Sequence, residues 1–71
     1  MADPSTTMIP LELPRSEAAA FSQFLKRVDY ETVGRFAAAA VTYDGRAEHY
    51  VIWCAIATLR HQLAEAGFAP R

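Results

Sequence analysis

Seventy-one residues make one domain with a thin core, because a chain this short buries only about 60% of the surface it exposes when unfolded. The net charge of −1, from seven basic and eight acidic side chains, excludes the cationic surplus that non-specific nucleic-acid binding requires. A single cysteine excludes an internal disulfide, so a partner chain is the expected supplement to so small a core.

From the N-terminus, residues 1–6 read as a loose tail and residues 7–71 as one helical domain. Thr7 to Leu13 alternates, with Thr7, Ile9, Leu11 and Leu13 on one side and Met8, Pro10 and Glu12 on the other. That period of two predicts a short extended strand. Pro10 donates no N–H, which restricts it to an edge, and Pro14 suits the start of a helix. The first helix is predicted from Arg15 to Val28. Ala18, Phe21, Leu25 and Val28 form its apolar face with Phe24 beside them, while Glu17 and Lys26-Arg27 complement the dipole.

Asp29 is the predicted N-cap of a second, shorter helix lined by Val33, Phe36, Ala37 and Ala40. Gly34 weakens that helix by about 1 kcal/mol relative to alanine and permits close approach of another helix. Thr42-Tyr43-Asp44-Gly45 is a turn signal. It allows two continuations: a hairpin pairing 40–43 with 46–52 around Asp44-Gly45, or a long helix beginning directly at Arg46 and running to Ala66. The helical pattern favours the second. Gly67 suits the left-handed position after its last turn, Phe68 can fold back, and Pro70 blocks continuation. The expected fold is therefore mainly α, three helices with a short N-terminal extended strand.

The last helix carries two stripes. Ile52, Ile56, Leu59, Leu63 and Ala66 share one direction and form the expected core face. Tyr50, Trp53, Ala57, Arg60 and Ala64 repeat at 3-4-3-4 spacing roughly 120° away. Tyrosine, tryptophan and arginine dominate interface hot spots. The second stripe is either a partner-binding surface of Tyr50, Trp53, Ala57 and Arg60, flanked by Tyr43 and Arg46, or further core wrapped by the rest of the chain.

Catalysis is not expected. Cys54 and His61 are seven residues and about 10 Å apart along one helix, too far for a thiol and its base. Cys54, His49 and His61 do not make a zinc set. The three glycines at 34, 45 and 67 are isolated, so no phosphate loop exists. No cofactor or metal is expected. No apolar stretch reaches the roughly 20 residues of a membrane span, and the first fifteen residues lack a signal-peptide pattern. With a free thiol, that points to a cytoplasm.

Met8-Ile9-Pro10-Leu11-Glu12-Leu13-Pro14 followed by Glu17 to Val28 resembles the opening of ribbon-helix-helix DNA-binding proteins. The resemblance implies a dimeric transcriptional regulator whose outward strand residues read bases. Those would be Met8, Pro10 and Glu12, or Thr7, Ile9 and Leu11. Neither set holds Arg, Lys, Asn or Gln, the usual base readers.

Leu13-Pro14, Glu17-Ala18, Phe24-Leu25-Lys26-Arg27 and the ending Leu63 to Arg71 resemble a group of short, uncharacterised proteobacterial proteins carried on phages and plasmids. Fourteen alanines fit a GC-rich bacterial origin. By analogy, that context implies a small protein-binding inhibitor or adaptor, such as an anti-CRISPR protein directed at a CRISPR effector subunit. Self-association as a homodimer is a further expectation.

Overall fold

Helix-forming stretches separated by Asp29 and by the 37–47 segment fold into three helices and one small hairpin, in the order α1 (Arg15–Arg27), α2 (Tyr30–Phe36), β1 (Thr42–Tyr43), β2 (Arg46–Ala47) and α3 (Glu48–Glu65). The computed structural model describes residues 6–68. Residues 1–5 of the expected tail, and the Pro70 stop, lie outside the described residues.

Helix α1 starts directly after Pro14, whose carbonyl accepts from the Ala18 N–H at 3.0 Å. Its inner face is Ala18, Ser22 and Leu25, all buried. Asp29 caps α2 as expected, accepting from the Thr32 N–H at 2.7 Å. Gly34 then brings α2 against α3. A Cβ at this position would lie 2.6 Å from Cε1 of His49, so only glycine admits the observed approach.

Strand pairing falls elsewhere than the alternation of residues 7–13 predicts. Among the described residues, 7–13 takes no regular secondary structure and makes no backbone pair. Alternation selects a conformation, but a strand also needs a neighbouring edge to pair with, and the pairing observed is β1 with β2. The sheet is instead the hairpin, antiparallel with Thr42 opposite Ala47 and Tyr43 opposite Arg46. Asp44 and Gly45 both take positive φ, 53° and 80°, as a two-residue type I′ turn requires. The helix that follows begins at Glu48 rather than Arg46, because Arg46 and Ala47 are taken by the hairpin.

Helix α3 is the spine and touches α1, α2 and both strands. It ends in a Schellman motif: Gly67, at φ 97°, donates to the Ala64 carbonyl and Phe68 to the Leu63 carbonyl at 2.8 Å. Phe68 then turns onto α1, where its carbonyl accepts from the Ser22 hydroxyl and its ring lies 5.1 Å from the Arg15 guanidinium.

The core is small. Among the described residues only Ala18, Ser22, Leu25 and Val33 are buried. The expected core face of α3 is covered on one side alone: Ile52, Ile56, Leu59 and Leu63 are half-buried and Ala66 is exposed. The molecule is a slab of 36 × 33 × 16 Å, and so thin a body has little interior.

Candidate functional site

The second stripe of α3 divides into an inner, structural half and an outer, exposed half. Arg60 belongs to the inner half. Its Nε donates to the Leu25 carbonyl at 2.8 Å, and its Nη2 donates to Val28 at 2.8 Å and also to Leu25. These carbonyls close α1, where the helix leaves acceptors unsatisfied and its dipole favours a cation. The same guanidinium lies 5.3 Å from the Trp53 ring, and Trp53 meets the Tyr30 ring edge-on at 5.7 Å. Trp53 is half-buried. Both residues hold α3 against α1 and α2, so the sequence reading missed the structural duty of Arg60.

The outer half is open. Tyr50 is 47% exposed and Tyr43 51% exposed, and Ala57 is exposed on the same side of α3. The Arg46 guanidinium lies 5.9 Å from the Tyr50 ring. Tyr30, a residue that the helical spacing of α3 gives no reason to select, adds a third exposed phenol at the edge of Trp53. It also stacks on the His49 ring with 3.8 Å between centroids, and His49 bonds back to the Tyr30 carbonyl through Nε2.

Glu48 sets the geometry of this face, and the sequence reading did not single it out either. One carboxylate oxygen accepts from the Ala38 N–H at 2.9 Å and the other from the Tyr43 hydroxyl at 3.2 Å. Its own N–H donates to the Val41 carbonyl at 3.1 Å. The α2–β1 connection, the hairpin and the first turn of α3 are thus tied to one side chain. The carboxylate raises the Tyr43 pKa above its usual 10.0, since the neutral phenol is the form that donates. Tyr50 is raised as well, by its hydrogen bond with Cys54.

Chemically, the face presents aromatic rings and one arginine. Tyr43, Arg46 and Tyr50 come together around the hairpin and the first turns of α3, with Tyr30 beside them, whereas Arg60 faces inward. The described residues include no group of three His, Cys, Asp or Glu that could hold a metal ion. His61 forms a local pair with Glu65 at 3.0 Å on the exposed side of α3. No helix among the described residues is long and apolar enough to cross a membrane.

A second exposed surface lies between the helices. Phe21, Phe24, Val28, Phe36, Ile52 and Ile56 line an open groove of about 460 Å³ between the three helices. Phe24 is 56% exposed and Phe36 83% exposed, although the sequence places both on helix faces expected to turn inward.

No curated protein and no solved structure matches the chain. A family of unknown function, DUF7706, matches over residues 1–71, and the chain belongs to that family.

Proposed function

We propose that this protein acts without catalysis, by binding another protein through the face formed by Tyr43, Arg46 and Tyr50, with Tyr30 and Ala57 at its margin. The observation that carries this reading is the cluster of exposed phenols beside an arginine on a surface braced by Glu48. Such rings bring contact area at low entropic cost, and arginine adds directional donors. With Trp53 and Arg60 engaged in the fold, the partner surface is narrower than the whole second stripe.

The resemblance to phage- and plasmid-borne proteins supports a more specific role. On this reading the protein is a small cytoplasmic inhibitor or adaptor of mobile-element origin, and an anti-CRISPR protein is its most concrete form. The test is phage plaquing on a bacterial host with an active CRISPR system. Expression of the wild-type protein should restore plaquing, and Y43A/R46A/Y50A should not, with unchanged circular dichroism. An unaltered triple variant removes the surface from the proposal. Failure across hosts carrying different CRISPR types removes the anti-CRISPR role.

The alternative, a dimeric DNA-binding regulator, draws on one observation. Among the described residues, 7–13 forms no helix and makes no backbone hydrogen bond to another segment, which leaves it available to pair across a dimer on this reading. A salt titration of duplex binding separates the two readings, because phosphate contacts weaken steeply with added salt.

A further inference from the structure

We propose that residues 38–47 open and close as one unit on the three-helix body, with the Glu48 carboxylate as the latch that keeps the unit closed. The opening is a property of the chain alone, and only its consequence for binding rests on the proposed tyrosine face.

The first argument is burial. Every residue from Ala38 to Ala47 is exposed, whereas the buried residues among those described belong to α1 and α2. Apolar burial, which resists local opening elsewhere in a fold, therefore contributes little here. Of the helices, the two strands touch α3 alone. Strands of two residues have no stability of their own, since even a longer isolated hairpin is marginal in water.

Convergence of the ties is the second argument. The Ala38 N–H and the Tyr43 hydroxyl donate to the two carboxylate oxygens of Glu48 at 2.9 and 3.2 Å. The Glu48 N–H donates to the Val41 carbonyl at 3.1 Å. The Arg46 guanidinium, 5.9 Å from the Tyr50 ring, adds a further tie. Hydrogen bonds to a carboxylate are stronger than neutral ones, and one carboxylate receives both of these. Within the unit, the Val41 N–H donates to the Ala38 carbonyl at 3.2 Å and β1 pairs with β2, so the segment moves as one piece.

The third argument concerns the ends. Ala37, which closes α2, has φ −84° and ψ 143°, and Ala47, which precedes α3, has φ −60° and ψ 141°. Both leave the helical region at an element end, where a few residues absorb the rotation of a hinge. Closed, the unit sets Tyr43 and Arg46 beside Tyr50; open, it carries them away. A partner that needs all three binds only the closed fraction.

Amide hydrogen exchange of the whole chain, followed by NMR, tests the proposal. In the wild-type protein the Val41 amide should exchange at least about tenfold faster than the Leu25 amide of α1, because it opens without global unfolding. E48A should speed Val41 by roughly a further tenfold, as loss of hydrogen bonds to a charged group implies, and should leave Leu25 slow. Y43F removes one donor without touching α3 and should give a smaller increase, which covers the case in which E48A does not fold. Equal wild-type rates at Val41 and Leu25 overturn the unit, as does an E48A increase shared equally by Leu25. Variant rates at Val41 that match wild type overturn the latch. No partner enters the measurement, so a failure of the binding reading leaves this result standing.

Discussion

Gly34 shows how one missing methyl group positions two helices. Alanine would favour α2 by about 1 kcal/mol on helix propensity alone. Its Cβ, however, would meet a His49 ring that is stacked on Tyr30 and bonded to the Tyr30 carbonyl, so the ring has little freedom to yield. G34A should therefore lower the melting temperature of the wild-type protein and raise that of H49A. Thermal unfolding of the four proteins in this cycle checks it, and a G34A protein more stable than wild type removes the packing argument. Asp29 makes a second residue-scale case. Hydrogen bonds from Thr32 hold its carboxyl below the usual 3.8. A lowered pKa means the stabilisation is complete above 3.8 and is lost as pH falls through the lowered value. D29N caps without titrating, so the loss of helix signal as pH falls below 3.8 should be smaller in D29N than in wild type.

Among the elements, the α1–α3 junction depends on Arg60. Its donors satisfy the final carbonyls of α1 across 32 to 35 residues of sequence. R60A should destabilise the fold by about 2 kcal/mol, the range for hydrogen bonds from a charged group. R60K should recover little, because an ammonium cannot reproduce the fork. Urea unfolding measures both, and an R60A midpoint equal to wild type would return Arg60 to the candidate partner surface. Such a tertiary cap is illegible in sequence, where Arg60 registers only as a member of a stripe. The features that were legible are local ones. The Asp29 cap, the Gly67 terminus and the span of α1 each follow from residues within a few positions of the structure they form. Asp44-Gly45 signals the hairpin, but the helical periodicity read from Arg46 onward outweighs it, and the helix itself starts at Glu48. Of the proposed surface, Tyr50 and the flanking Tyr43 and Arg46 lie close together, whereas Arg60 is engaged in the fold. Tyr30 and Glu48 were missed because their places depend on how α2 and the hairpin pack.

At the scale of the whole molecule, periodicity marks the apolar stripe of α3 as core, yet the described residues leave Ile52, Ile56, Leu59 and Leu63 half-buried. Periodicity shows which face is apolar and leaves open what lies against it. The hairpin tip has a use of its own. Apart from its chain neighbours, nothing lies within 4 Å of where a Gly45 side chain would begin, and Asp44 and Gly45 are both exposed at the tip beside Tyr43 and Arg46. A short tag or dye spliced in after Gly45 would leave the helical scaffold untouched and sit at the edge of the aromatic face, where its emission would report occupancy by an incoming protein.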